Sequence, residues 1–301
     1  MPVFSIIIPL FNKKAFIGEV LRRVLLQSFT NYEVIIIDDG STDGSAEIVN
    51  SFTASNLTCI KTKNQGVSAS RNTGIKAASG TLIAFLDADD YWDNNHLEEL
   101  YKLHISFPGA GLLASRYKLK FSEAKIVKPC FKNLPENFRG IVPDFFKASL
   151  TYRIAWTSAL AVDARVLKHV GLFNELLSNG EDNDLWIRIA LKYDVALGNC
   201  YTAIYNYHII DTLSKKKISE RALPNFARFA EAEKTNASLK KFLDMYRLQY
   251  ALHLKADGNP LWKRYYKKIN RENISTIKTI LLHLPGFLLR VLQIIKKITS
   301  S

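Results

Sequence analysis

Carboxylate and amide side chains stand directly after apolar runs near the start of the chain. Four such groups follow runs of strand character: Pro9–Asn12, Asp38-Asp39, Lys63–Gly66 and Asp87–Asp90. In an extended chain the side chains of residues 87 and 89 lie on the same side. Two oxygen ligands so placed suit Mg²⁺ or Mn²⁺ carrying phosphate oxygens. An ordinary strand-to-helix turn with a capping aspartate would also explain this Asp-x-Asp triplet.

The second group is a pair of consecutive aspartates, Asp38-Asp39, followed by Gly-Ser-Thr-Asp-Gly-Ser. A glycine turn in which Thr42 or Asp43 caps the next helix accounts for residues 40–45. It does not account for the two aspartates, because burying one carboxylate beside another is unfavourable unless something is bound. The pair therefore indicates a ligand site at the end of this strand.

Alternating strand and helix patterns must position these groups. The predicted strands and helices are, in order, 3–10, 15–28, 33–37, about 45–53, 57–60, 67–78 and 81–86. Strands separated by helices of this length predict right-handed crossovers and a mainly parallel sheet that helices flank on both faces. Ligands bind outside the carboxyl ends of the strands in such sheets. The sequence thus predicts an α/β nucleotide-binding domain whose four polar loops meet at one edge.

The charge distribution divides the chain into two regions. Residues 1–214 carry 22 Lys+Arg and 22 Asp+Glu, whereas residues 215–301 carry 19 Lys+Arg and 6 Asp+Glu, which is the whole net charge of +13. We predict an electrically neutral domain over 1–214 and a basic helical C-terminal region over 215–301. Three scattered cysteines and the absence of a secretory pattern argue against a disulfide scaffold and favour a cytoplasmic location.

Five segments, taken in order, resemble the signatures of family 2 glycosyltransferases with the GT-A fold. They are Ser5–Asn12, Asp38–Ser45, Asn64–Gly74, Phe85–Trp92 and Gly180–Arg188. The resemblance covers about two thirds of the chain, residues 3–214. It implies a GT-A-type, mainly parallel nucleotide-binding sheet flanked by helices, and a reaction that uses a nucleotide-diphosphate sugar.

The resemblance implies roles for single residues in donor binding. Pro9, Phe11 and Asp39 would line the pocket for uracil or an equivalent base, with Asp39 accepting a hydrogen bond from the ring N–H. Arg71 would lie against the base and the diphosphate. Asp87 would face the ribose.

The resemblance also implies a divalent cation, Mn²⁺ or Mg²⁺, that Asp89 would ligate and that would offset charge on the departing diphosphate. Tyr205–His208 is similar to a tyrosine–histidine segment of the family, so His208 would coordinate the cation or contact the diphosphate. A histidine near an apolar run is more often a packed residue with one hydrogen bond. Asn206 stands where the family usually has a basic residue.

The fifth segment implies the catalytic base. Asp182 would deprotonate the acceptor hydroxyl during in-line attack, which inverts the anomeric centre without a covalent intermediate. Glu181 and Asp184 would hold the loop or contact acceptor hydroxyls. Carboxylates in a first helical turn are also favoured by capping and by the helix dipole, so the local sequence alone leaves both interpretations open.

The basic region has the composition of helices that lie on a membrane surface. The pattern of residues 215–256 predicts a helix. Residues 274–298 are rich in Leu, Ile and Phe, but Pro285-Gly286 interrupts them. Such a stretch is too broken to span a bilayer, whereas apolar and basic residues on opposite faces suit an interfacial helix. We predict an anionic membrane surface as a partner. A helical appendage packed on the catalytic domain is the alternative.

Taken together, the resemblance implies an inverting, metal-dependent glycosyltransferase of the hexosyl-transferring type. It would move sugar from a nucleotide-diphosphate sugar, most simply a UDP-sugar, to a glycan or lipid-linked glycan in cell-surface polysaccharide synthesis, at the inner face of the membrane. A nucleotidyltransferase is a second enzymatic alternative. It is disfavoured because the sequence has no glycine-rich, lysine-bearing phosphate loop near the first strand. A catalytically idle sugar-nucleotide-binding module that tethers a membrane complex is the main alternative. No nucleic-acid-reading motif is present, and the oligomeric state stays open, since the tail could form a subunit interface.

Overall fold

A parallel βα repeat forms the amino-terminal part of the chain. The computed structural model describes residues 1–207 and 217–299, of which 294 and 296–299 are described by backbone alone. The elements of the repeat are β1 (Phe4–Leu10), α1 (Lys14–Leu25), β2 (Tyr32–Asp38), α2 (Ser45–Asn50), β3 (Leu57–Lys61), α3 (Val67–Ala77) and β4 (Leu82–Phe85). All four strands and three helices predicted for this part are confirmed.

Beyond β4 the same sheet continues with strands of both directions. The elements are β5 (Tyr91–Trp92), α4 (His96–Ser106), β6 (Ala110–Ser122), β7 (Lys125–Val127), β8 (Gly140–Ile141), α5 (Phe145–Ala148), β9 (Leu160–Asp163), α6 (Ala164–Val170), α7 (Glu181–Ala190) and β10 (Asp194–Asn206). Among the described residues the strand order is β3-β2-β1-β4-β9-β6-β10-β5, with β7 on β6 and β8 on β10. The predicted α/β class is confirmed.

Only part of this sheet is parallel. The pairs joining β3, β2, β1 and β4 are parallel, as predicted, and so is the pair β6–β10. Strand β9 lies antiparallel between β4 and β6, and β5 and β8 are antiparallel to β10. The short β9 therefore joins the predicted parallel half to a mixed half that the strand-and-helix pattern does not reveal.

The register of the parallel strands brings the polar loops together. Leu10 at the end of β1 is level with Asp38 at the end of β2, and Ile7 is level with Phe85 at the end of β4. The sheet core is apolar because β1, β2 and β4 are buried on both faces. The loops after these three strands consequently start at the same edge of the sheet.

The chain divides into two compact units, Met1–Ile210 and Asp211–Ser301. The helices of the second unit are α8 (Ala230–Thr235), α9 (Ala237–Ala256), α10 (Trp262–Tyr266), α11 (Thr276–His283) and α12 (Gly286–Thr299). The break between α11 and α12 falls at Pro285, as predicted. The helix expected over 215–256 forms only from α8 onward and is interrupted at Asn236, which is extended; Ile218–Glu220 and Ala227–Phe229 form single 3₁₀ turns.

Helix α9 is the centre of the second unit. Asp244 on this helix is fully buried and accepts hydrogen bonds from Arg247, from the Asn270 N–H and from the Asn273 amide. Arg247 also pairs with Glu233 on α8. A buried carboxylate needs such partners, so this cluster ties α8 and the 270–273 turn to α9.

Gly80, just before β4, lies so close to β1 that there is no room for a side chain. A Cβ atom at Gly80 would lie 2.6 Å from the backbone nitrogen of Ser5 and 2.7 Å from its Oγ. We expect Gly80→Ala to destabilise the first unit by about 1–3 kcal/mol through overpacking, and so to lower the Tm by several degrees in calorimetry. Gly109→Ala is the control, because no atom lies within 4 Å of a Cβ there. Equal Tm values for the two variants would contradict this account.

Candidate active site

The loops after β1 and β2 bind each other. Asn12 has a left-handed backbone (φ 51°), and its Oδ1 accepts the Thr42 N–H at 2.8 Å. The Lys14 N–H donates to Asp43 at 2.9 Å. These bonds hold the end of β1 and the loop after it, which carry two predicted base-pocket residues, the half-buried Pro9 and the exposed Phe11.

Asp39 is buried, and its carboxylate organises the loop before α3. It accepts hydrogen bonds from the Thr62 hydroxyl at 2.8 Å and from the backbone N–H groups of Gln65 and Gly66. Gly66 itself has φ +92°, a conformation that favours glycine. The Gln65 N–H is shared between the two carboxylate oxygens, so the three donors make four contacts with Asp39. The structure thus places Asp39 at the predicted edge, with a structural role that the sequence did not show.

Arg71 on α3 is the buried centre of the candidate site. Its side chain is 4% exposed and donates from Nη2 to Asp87 at 2.7 Å and from Nη1 to Glu181 at 3.2 Å. Burial lowers the pKa of Arg71, but the charges of Asp87 and Glu181 more than offset this and raise it above its ordinary value. Within the described residues, its Nε–H is buried without a hydrogen-bond partner.

The Asp87–Asp90 loop spreads its carboxylates among different partners. Asp89 pairs with Lys13 at 2.7 Å, and burial raises its pKa although Lys13 opposes the rise. Asp90 is buried and accepts hydrogen bonds from the Ser158 hydroxyl at 2.6 Å and from the Asn206 N–H at 3.2 Å. Burial, followed by the charges of its neighbours, raises the pKa of Asp90 well above its usual range.

Two residues that the sequence analysis did not select, Ser158 and Asn206, hold the Asp87–Asp90 loop by hydrogen bonds. The Ser158 hydroxyl also accepts the Asp87 N–H at 3.1 Å. The Asn206 amide donates to the Asp89 carbonyl, while its Oδ1 is buried and unpartnered within the part of the chain that the structure describes. Asn206 had been noted only as a departure from the family pattern. The nearby His208, predicted as a metal ligand, lies outside the described residues.

Asp182 lies in the first turn of α7, after Gly180, whose φ of +77° favours glycine. Its side chain is 21% exposed; Oδ2 pairs with Arg153 at 3.1 Å and Oδ1 accepts the Asn183 N–H at 2.7 Å. The Arg153 guanidinium lies 4.7 Å from the centre of the Trp156 ring. The predicted base is therefore paired with an arginine whose guanidinium lies over a half-buried aromatic ring.

The neighbouring carboxylates of α7 have different environments. Burial and the charge of Asp182 raise the pKa of Glu181, although Arg71 opposes the rise. Asp184 pairs with Arg188, which donates to the carbonyls of Val170 and Leu172. Asp184 thus holds the loop before α7, one of the two roles that the sequence analysis left open for it.

The site carries more negative than positive charge. Four carboxylates pair with three basic side chains, and a fifth, Asp90, lies beside Asp87 and Asp89 without a basic partner among the described residues; the four are Asp87, Asp89, Glu181 and Asp182, and the bases are Lys13, Arg71 and Arg153. Such an excess suits a cation. Within residues 1–207 and 217–299 no three His, Cys, Asp or Glu side chains assemble as a metal site. Mg²⁺ commonly takes one or two carboxylates and substrate phosphates, so Asp89, with Asp87 beside it, fits such a cation.

The sheet and its flanking helices have the GT-A fold of solved glycosyltransferases. A crystal structure of Staphylococcus aureus TarS 1-349 in complex with UDP-GlcNAc matches 91% of this chain and 89% of that one, with a TM-score of 0.64 at 19% identity. At this identity the match establishes the fold alone.

The chain belongs to glycosyltransferase family 2. The family model described as "Glycosyl transferase family 2" matches residues 5–154. The Escherichia coli UDP-Glc:alpha-D-GlcNAc-diphosphoundecaprenol beta-1,3-glucosyltransferase WfaP is 31% identical over 199 residues, which are 64% of this chain and 72% of WfaP. An uncharacterized glycosyltransferase of Haemophilus influenzae is 41% identical over 138 residues, 42% of this chain and 55% of the relative. The chain spans 17%, 31% and 55% of the length of the first three curated relatives it matches.

Removing Arg71 should destabilise the fold in a pH-dependent way. Because the pKa of Glu181 in the folded chain lies above its unfolded value, protonation favours the fold, and stability is lost as the pH rises through the folded pKa. Arg71→Met removes the opposing cation and raises that pKa further. We expect a loss of about 3–5 kcal/mol near neutral pH, as for a broken buried pair, and a smaller loss in acid.

Thermal unfolding of Arg71→Met, measured from mildly acidic to neutral pH, checks this expectation. Arg22→Met is the matched control, because Arg22 forms an exposed pair with Glu19. A Tm difference from the parent that does not change with pH would contradict the assigned role of Glu181.

Proposed function

We propose that this protein is an inverting, metal-dependent hexosyltransferase that uses a UDP-sugar. The observation that carries the proposal is the Arg71 ion pair, which links Asp87 on the predicted donor side to Glu181 on the predicted acceptor side. A single-displacement transfer needs a leaving-group site and a base near one anomeric carbon. The two carboxylate-bearing segments that would supply them meet at one buried guanidinium.

The donor base would lie against Pro9 and Phe11, at the end of β1. Asp39, already oriented by Gln65 and Gly66, would accept the ring N–H of uracil in place of one of the two contacts that it shares with the Gln65 N–H. WfaP carries UDP-Glc in its name, and TarS has been solved with UDP-GlcNAc. These relatives support uridine as the nucleotide, and Asp87 would face the ribose.

Asp89 would hold Mn²⁺ or Mg²⁺, with Asp87 beside it. When bound, the cation would neutralise charge that develops on the departing diphosphate. The protein's own cations at this edge are Lys13, which pairs with Asp89, and Arg71. Both would lie within the field of the diphosphate and would help to hold it as the glycosidic bond to it breaks.

Asp182 would act as the base. Arg153 holds one oxygen of its carboxylate and the Asn183 N–H holds the other, so the group is fixed before substrate binds. The acceptor O–H proton passes to Asp182 while the acceptor oxygen bonds the anomeric carbon. The bond from that carbon to the diphosphate breaks in the same step, and UDP leaves with the bonding electron pair. The configuration inverts.

The acceptor would approach over an aromatic cluster beside the base. Trp156 packs against Tyr117 and Tyr205, with ring centres 5.2 and 4.4 Å apart. Its half-buried ring offers a surface on which a sugar could stack. WfaP's name specifies a diphosphoundecaprenol acceptor, which supports a lipid-linked glycan, cell-surface polysaccharide synthesis and a location at the inner face of the cell membrane.

Asp182→Asn should abolish transfer while leaving donor binding nearly intact. The amide keeps the shape of the carboxylate but cannot take the acceptor proton, so we expect kcat to fall by about 10²- to 10⁴-fold. Transfer rates and calorimetric UDP affinities of both proteins test this. Asp194→Asn, an exposed carboxylate at the start of β10, is the control. Normal turnover by Asp182→Asn would show that another group is the base.

A panel of nucleotide sugars, with and without Mn²⁺, tests the donor and the metal together. We expect one UDP-sugar to stabilise the protein thermally in a Mn²⁺-dependent way, and Asp89→Ala to lose that dependence. Asp93→Ala is the control, because Asp93 pairs with Lys118 instead. Equal UDP-sugar affinity with and without Mn²⁺ would show that donor binding does not depend on the metal. Binding without any turnover on lipid-linked acceptors would favour the idle tethering module.

A further inference from the structure

Helix α12 is apolar on two opposite faces. Leu289 is buried, and a Cβ atom at Gly286 would clash with the Lys255 carbonyl oxygen of α9, so this side is closely packed. On the other side, Phe287 is 67% exposed, and Leu288, Val291 and Leu292 are also exposed. The spacing i, i+1, i+4, i+5 places these four side chains on one face of the helix.

Helix α11 adds to this exposed apolar surface. Ile277 is 72% exposed and Ile280 is also exposed, whereas Leu282 on the same helix is buried. The Lys255 ammonium donates to the Leu282 carbonyl at 2.7 Å, which anchors the end of α11 to α9. The exposed apolar surface, defined as Ile277, Ile280, Phe287, Leu288, Val291 and Leu292, therefore belongs to helices that the second unit itself holds in place.

The charge around this surface is positive. Residues 261–299 contain nine Lys or Arg and one acidic residue, Glu272. Lys263, Arg264, Lys267 and Lys268 are exposed, as are Lys278 on α11 and Arg290 on α12. A second copy of the chain would bring two such basic segments together, and like charges oppose that contact. The positive charge favours an anionic partner. The exposed apolar face favours a partner into which apolar side chains can insert.

We propose that α11 and α12 insert this exposed apolar surface into an anionic phospholipid membrane. Interfacial helices of this kind bury their apolar side at the boundary between headgroups and acyl chains, while basic residues attract anionic lipid. No helix in the described part of the chain is long and apolar enough to cross a bilayer. The inference deepens the proposed function, on which it rests for its biological sense, by naming the surface that would bring the enzyme to a lipid-linked acceptor.

Vesicle co-sedimentation of the full chain tests the proposal without donor or acceptor. We expect at least about tenfold tighter binding to vesicles containing about one third phosphatidylglycerol than to phosphatidylcholine alone, weakening as salt rises. Phe287→Ser/Val291→Ser should weaken the binding at least about tenfold. Leu26→Ser/Ile105→Ser, which removes two exposed apolar residues of the first unit, should leave it unchanged.

A second measurement guards against loss of folding in the double variant. The added tryptophan of Phe287→Trp should shift its emission to the blue on anionic vesicles but not on neutral ones. No binding by the parent, equal binding by both double variants, or an unshifted emission would overturn the proposal. Self-association that Phe287→Ser/Val291→Ser abolishes, measured by sedimentation velocity, would instead identify a second copy as the occupant. Vesicle binding that persists without any sugar transfer would refute the enzyme function alone.

Discussion

The buried Arg71 guanidinium is the interaction on which the candidate site depends. It pairs with Asp87, which follows β4, and with Glu181, which begins α7, so segments far apart in the chain share one cation. A guanidinium buried to this extent is stable only while carboxylates accept its donors. If either segment moved away, a charge would be left unpaired in a poorly solvated place. The two sides of the site are therefore held in one arrangement before any substrate binds.

The same arrangement leaves the site with an excess of negative charge. Burial raises the pKa values of Asp89 and Glu181, and that of Asp90 still further, which means that their ionised forms are disfavoured in the folded chain. A fold that only needed stability would gain from apolar replacements here. Strongly perturbed carboxylates gathered at the carboxyl ends of parallel strands are typical of functional sites. A divalent cation bound there would relieve this excess.

The parallel half of the fold is readable from sequence because its signals are local. Buried parallel strands such as β1 are continuous apolar runs, and the helices between them keep a regular periodicity. Strand β9 has no comparable signal: it is four residues long and gains its place only by pairing with β4 on one side and β6 on the other. The sequence does not reveal the 3₁₀ turns before α8 either, because a helical composition extends through the residues that form them.

In the candidate site, too, some residues can be predicted from the sequence and others cannot. Asp39 and Asp87 follow β2 and β4, so their place at one edge follows from strand order. Asp182 also stands in a recognisable segment, but that segment is tied to Asp87 through the pair between Arg71 and Glu181. The partners of the carboxylates do not stand in such segments: Arg153 lies 29 residues from Asp182, and Ser158 lies 68 residues from Asp90. No motif specifies such partners, because many chain positions could supply a counter-charge or a hydroxyl. What sequence reveals is which charges must be buried. The groups that make this burial tolerable come from the mixed half of the sheet: Ser158, in the 3₁₀ turn that precedes β9, and Asn206, at the end of β10, contact the Asp87–Asp90 loop.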